Sequence, residues 1–124
     1  MRAVAPEVLA RHHLVRAVRG QNATLECALE AWPAGLCYWS GPEPVAGRWH
    51  HQPGRVLHAG GRLQMGVVAA SAHYRRRMVL TVTAVDAADF GRYRCACANP
   101  LGESHDTVEL RGESAGEGRG ADRS

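Results

Sequence analysis

The chain has 124 residues, of which 45% are hydrophobic, 22% charged and 6% aromatic, the balance of one globular domain rather than of a disordered or fibrous chain. Its formal charge is +3, with all fifteen basic residues arginine. Because these are scattered, with Arg75-Arg76-Arg77 the one run, the clustered charge of a nucleic-acid footprint is excluded, and the run reads as a solvated strand entry.

Met1 to Arg11 lacks the uninterrupted apolar core of a secretion signal, and no window reaches the length of a membrane span. Residues 1–12 are expected to be a lead-in with a first strand. Arg19-Gly20-Gln21-Asn22 is a turn signal. Asn22-Ala23-Thr24 is an N-glycosylation acceptor at the mouth of the next strand, meaningful in a secreted chain. Thr24-Leu25-Glu26-Cys27-Ala28-Leu29 then alternates with period two, as a half-buried strand does. Trp32-Pro33-Ala34-Gly35 is a turn, Cys37 and Trp39 follow on a second strand, and residues 41–53 read as a stretched, proline-rich loop.

After the Gly60-Gly61 turn, period two returns in Met78-Val79-Leu80-Thr81-Val82-Thr83, in Tyr93-Arg94-Cys95-Ala96-Cys97-Ala98 and in Thr107-Val108-Glu109-Leu110. Asn99-Pro100-Leu101-Gly102 is the turn between the last two, and the proline disqualifies Asn99 as a glycan acceptor. No long helix is expected. Residues 112–124 carry almost no apolar side chain and read as a flexible Gly/Ser/charged tail.

Four cysteines allow three pairings, and spacing alone does not choose among them. Two residues before Cys95 stands Tyr93, preceded by Asp89-Phe90-Gly91, with Trp39 twelve residues after Cys27. Cys, Trp, Tyr-x-Cys and an Asp-x-Gly corner mark an immunoglobulin-like β-sandwich of the I-set type, all-β, with two antiparallel sheets and its domain over residues 13–111. In that frame Cys27 and Cys95 bridge the sheets against Trp39, a cross-link contributing on the order of 4 kcal/mol through loop closure. Tyr93 ties its hydroxyl to backbone, Asp89 pairs with Arg62, and Leu80 belongs to the core strand leading into the corner. Cys37 shares a face with Trp39, and Cys97 with Cys95. If their strands are antiparallel neighbours the two fall at one level, giving either a second, cross-strand disulfide or two buried free thiols.

A tetrathiolate zinc site would want ligands two to four residues apart in both pairs, whereas Cys27 and Cys37 are ten apart. The His12-His13 and His50-His51 doublets point to opposite faces of a strand and add little. Ser71 with His73 lacks a nucleophile elbow, and Glu103, His105 and Asp106 read as solvated edge residues. No enzyme activity, metal or cofactor is expected.

The sequence resembles the third, membrane-proximal immunoglobulin domain of the arthropod lachesin and Dpr-interacting protein family, relatives of amalgam and the vertebrate IgLONs. The likeness covers residues 5 to 111. It is carried by His13-Leu14-Val15, Ala23-Thr24-Leu25-Glu26-Cys27, Glu30-Ala31-Trp32-Pro33, Tyr38-Trp39, Arg77-Met78-Val79-Leu80-Thr81-Val82 and, most specifically, Asp89-Phe90-Gly91-Arg92-Tyr93-Arg94-Cys95 running into Asn99-Pro100-Leu101-Gly102-Glu103. Cys37, Cys97 and the long loop depart from the family pattern. The resemblance implies a piece of a neuronal or epithelial cell-surface adhesion glycoprotein, membrane-anchored elsewhere in the parent. Its partners would be other immunoglobulin-superfamily surface proteins or itself, recognised through the first domain while the third acts as a spacer, monomeric or weakly dimeric alone. The alternative is an intracellular muscle-type immunoglobulin module, which shares Asp-x-Gly-x-Tyr-x-Cys.

Overall fold

In a computed structural model, residues 2–44, 55–70, 72 and 74–113 are described. Eight strands form two four-stranded sheets: β1 (Val4–Ala10), β3 (Ala23–Trp32), β6 (Arg75–Val82) and β5 (Leu63–Ala69) in the order β1-β3-β6-β5, and β2 (Leu14–Ala17), β8 (Gly102–Gly112), β7 (Gly91–Asn99) and β4 (Leu36–Glu43) in the order β2-β8-β7-β4. Alternation in sequence becomes alternation in space. Ala23, Leu25, Cys27, Leu29 and Ala31 of β3 face the interior, while Thr24, Glu26, Ala28 and Glu30 face outward. Met78, Leu80 and Val82 of β6 and Tyr93, Cys95 and Cys97 of β7 complete the packed layer, together with Val108 and Leu110 of β8.

Outward residues are paired by the same register. Glu30 sits opposite Arg75, and Arg75 Nε lies 3.0 Å from Glu30 while Arg77 Nη1 lies 3.5 Å from Glu26. Two members of the arginine run are therefore spent on the acidic face of β3, in exposed pairs that each contribute at most about 1 kcal/mol.

Three expectations change in detail. The second sheet is not purely antiparallel, because β2 pairs in parallel with β8. The N-terminal strand pairs with β3 as β1, crosses between the sheets at Arg11-His12-His13, and continues without reversing, so its direction on the far side is the one it already had. Residues 41–43 are strand rather than loop: β4 runs to Glu43, which pairs with Arg92 after a register shift between Ser40 and Glu43. Such an irregularity lets Pro42 stand in a strand. Residues 55–57 add a short further edge, with Gly41 N–H donating to Arg55 O and Leu57 N–H to Trp39 O, both at 2.9 Å. Residues 45–53 of the expected loop and the expected tail from 114 onward lie outside the described residues, whereas Gly112 ends β8 and Glu113 N–H donates to Ala17 O at 2.9 Å.

The chain enters the sandwich at one end and leaves it at the other. Val4 lies beside Trp32 and accepts a hydrogen bond from Asn99, while Gly112 lies beside Ala17 at the opposite end of β3. At about 3.3 Å per residue, the ten residues of β3 separate these ends by roughly 30 Å.

Candidate functional site

Two disulfides end on β7, one reaching β3 in the other sheet and one reaching β4 beside it. Cys27 of β3 is joined to Cys95 of β7 across the sheets, with Cα atoms 6.6 Å apart. Both are fully buried in the cluster that holds Trp39, which stands opposite Cys95 in the ladder. Cys37 of β4 is joined to Cys97 of β7, its directly opposite neighbour, with Cα atoms 4.0 Å apart. Cys97 is buried, its Sγ 3.6 Å from Met78 Sδ, while Cys37 is only partly covered. With the four sulfurs committed in pairs, no thiolate set remains for zinc.

At the β6–β7 corner, Tyr93 is 1% exposed and donates its hydroxyl to Asp89 O at 2.6 Å. Burial, reinforced by the negative charge of Asp89, pushes the Tyr93 phenol well above its ordinary value. Arg62 holds the Asp89 carboxylate with two nitrogens, at 2.7 and 3.2 Å. Arg62 also donates to the Thr83 and Ala84 carbonyls at 3.2 and 3.1 Å. Burial alone would raise the Asp89 carboxyl. The Arg62 hydrogen bond, the Asp86 N–H and the guanidinium charge outweigh it and hold the carboxyl below its ordinary range. A 3-10 turn over Ala87–Asp89 is closed by reciprocal bonds between Asp86 and Asp89. Gly91 then turns the chain inward at φ +147°, where an added Cβ would stand 2.6 Å from Glu43 O. No side chain fits that approach. Leu80 of β6 is fully buried opposite Leu25.

Asn22 is exposed just before β3. Its amide oxygen accepts Ala84 N–H at 3.1 Å, a bond that does not use the nitrogen a glycan would be joined to.

Asp106 does more than an edge residue. Its Oδ2 accepts Ala10 N–H at 2.7 Å and lies 2.9 Å from His13 Nε2, and its Oδ1 accepts Thr107 N–H at 2.9 Å. Burial works to raise this carboxyl, but the two backbone N–H groups and His13 overcome it and the net shift is downward. Ser104 Oγ accepts Val8 N–H at 3.0 Å. These two side chains of β8 hold the strand where it changes sheets, across 96 residues of sequence. His12, His105 and Glu103 are exposed. Ser71, His73 and the His50-His51 doublet lie outside the described residues. Among the described residues no group of three His, Cys, Asp or Glu is arranged to hold a metal, and nothing among them points to catalysis.

An apolar cleft of about 570 Å³ opens between β4 with residues 56–58 on one side and β5 on the other, lined by Leu36, Cys37, Trp39, Val56, Met65 and Val67 among others. Sequence reasoning missed it because three segments distant in the chain build it.

The immunoglobulin I-set domain model matches residues 6–111. Leucine-rich repeat and fibronectin type-III domain-containing protein 5 of Mus musculus is 27% identical over 106 residues, which are 85% of this chain and 12% of that protein. Its Homo sapiens counterpart is 26% identical over the same lengths. The chain thus spans about an eighth of these relatives. Among solved structures, a complex of Dpr2 Ig1-Ig2 with DIP-Theta Ig1-Ig3 superposes with a TM-score of 0.73 at 30% identity, over 90% of this chain and 33% of that one. A mutant form of the titin M10–obscurin-like 1 Ig complex gives 0.67 at 24% identity, over 92% of this chain and 98% of that one, a likeness of fold. With the Cys27–Cys95 bridge, the tyrosine corner and a family match over most of its length, the chain belongs to the immunoglobulin I-set domain family.

Proposed function

We propose that the chain is an extracellular immunoglobulin module of a cell-surface adhesion or recognition protein, serving mainly as a membrane-proximal spacer. The observation that carries the extracellular placement is the pairing of all four cysteines within one small sandwich. Such bridges persist in oxidising compartments and are rare where glutathione and thioredoxin keep thiols reduced. The exposed Asn22 acceptor supports the same placement, as a glycosylated surface residue. The spacer role is supported by the ends of the domain, which leave at opposite poles roughly 30 Å apart, so a domain inserted in series adds its full length to the parent. Likeness to a domain of the Dpr2 and DIP-Theta complex supports kinship with the lachesin and Dpr-interacting group, and recognition of other immunoglobulin-superfamily proteins or of itself by the parent.

Peptide mapping of the chain expressed with a secretion signal, without reduction, tests this. Cys27 linked to Cys95, Cys37 linked to Cys97 and a glycan on Asn22 are expected. Four free thiols in the natively expressed protein would overturn it in favour of an intracellular structural module, whose fold the titin-like structures share.

A further inference from the structure

The two disulfides differ in which sulfur a reagent can reach. Neither Cys27 nor Cys95 has any exposed surface, and both lie in the core cluster with Trp39. Cys37 lines the wall of the 570 Å³ cleft, whereas Cys97 does not and is 1% exposed. None of the described residues lining that cleft is acidic, so no carboxylate there repels an incoming anion. We propose that Cys37 is a thiol-exchange site. Small thiols, either a monothiol of the glutathione class or a dithiol reductant, enter by the cleft and open Cys37–Cys97 while Cys27–Cys95 and the sandwich stay intact. The inference rests on the cysteines being paired, as in the extracellular reading.

The step is a displacement at sulfur. A thiolate attacks Cys37 Sγ, the Cys37–Cys97 bond breaks, and a mixed disulfide forms on Cys37. Cys97 leaves with the electron pair and takes a proton from solvent. With a dithiol, the second sulfur attacks the mixed disulfide and releases Cys37 as a thiolate, which is then protonated. Two electrons have then passed from the dithiol to the cysteine pair, and the reagent leaves as its own disulfide. With a monothiol the adduct remains on Cys37. The released Cys97 stays buried beside Met78, out of reach of further reagent, so the adduct is carried on Cys37 alone. Opening requires no rearrangement of the backbone, because Cys37 and Cys97 are neighbours in the β4–β7 ladder, with Leu36↔Ala98 and Tyr38↔Ala96 paired on either side.

The test is reduction of the folded, oxidised chain by dithiothreitol, quenched at intervals with iodoacetamide and mapped by peptide mass, with tryptophan fluorescence reporting the fold. Alkylation of Cys37 and Cys97 at least about tenfold faster than that of Cys27 and Cys95, with native fluorescence retained, is expected from the difference in access. Reduced glutathione in place of dithiothreitol should leave its adduct on Cys37. Opening of both bridges together at the rate of global unfolding, opening of Cys27–Cys95 first, or an adduct on Cys97 would overturn the inference. V67W supplies a second arm: Val67 is 58% exposed at the cleft, so a bulky side chain there obstructs the entrance without entering the core. It should slow opening of Cys37–Cys97 severalfold and leave the unfolding rate unchanged. An unchanged opening rate in a folded V67W would refute entry by the cleft. Free thiols in the untreated secreted chain would refute the extracellular reading itself, whereas unselective reduction of a fully oxidised chain would refute only the exchange site.

Discussion

Replacing the cross-strand pair, as Cys37→Ala with Cys97→Ala, separates what a disulfide contributes alone from what it contributes beside another. Taken singly, Cys37–Cys97 closes a separation of 60 residues and Cys27–Cys95 one of 68. In the chain-entropy model each would contribute about 4 kcal/mol on its own. The bridges are not independent. With Cys27–Cys95 closed, the unfolded chain already holds Cys37 ten residues from one end of the bridge and Cys97 two residues from the other. The second bond therefore closes a ring of about twelve residues, and the same relation gives about 3 kcal/mol. For a domain of this size that corresponds to roughly a 10 °C fall in Tm. Urea unfolding of the double variant against the oxidised parent measures it. A loss near 4 kcal/mol would show that the two bridges constrain the unfolded chain separately, and no loss would show that Cys37–Cys97 is not closed in the folded protein. Replacing Cys27 and Cys95 by alanine opens the same small ring, yet should cost more, because those sulfurs fill space in the fully buried cluster around Trp39.

Tyr93→Phe should cost about 1–2 kcal/mol, since the hydroxyl that meets Asp89 O in a buried place is lost. It should also flatten the alkaline limb of stability. The folded phenol has a raised pKa, so its contribution is whole below the unfolded value of 10.0 and is lost as the pH climbs beyond it. Asp89→Asn should destabilise by about 1 kcal/mol at neutral pH, a modest figure because Arg62 is half exposed. The carboxyl's folded pKa is lowered, so its stabilisation is present above the unfolded value of 3.8 and disappears as acid protonates the folded form. Parent and variant melting curves measured from pH 7 down to pH 2 should accordingly converge, and a constant gap would refute the ion-pair account. Asp106→Ala should free the Ala10 N–H and His13, seen as faster hydrogen exchange across β1 and β2 with little change at β3 and β7. Equal protection throughout would show that β1 is held by its ladder to β3 alone.

What could be read from the sequence divides by the range of the interaction. The strands β3, β6 and β7 declare themselves because one face is core and the other is water, which writes a period of two into ten, eight and nine residues. The I-set frame followed from Cys27, Trp39, Tyr93 and Cys95, whose spacing is fixed by two sheets about 10 Å apart. Asp106 hid for the opposite reason. Flanked by His105 and Thr107 on a strand near the C-terminus, it has the local pattern of any half-exposed edge residue, and its partners Ala10 and His13 are more than 90 residues away. The parallel β2–β8 pair and the strand over Gly41-Pro42-Glu43 were hidden likewise, the first because direction leaves no mark on alternation, the second because proline was weighed as a loop signal where a bulge accommodates it. The cleft follows the same rule. Leu36, Val56 and Val67 are each an ordinary exposed hydrophobe in its own strand or edge, and only the approach of β5 to β4 makes them the rim of an opening with a disulfide sulfur in its wall. In this sandwich the features that hold the fold are written locally, in periodicity and in the Cys-Trp-Tyr-Cys spacing. The second bridge, which the sequence left open against two free thiols, and the route to it arise where distant strands meet.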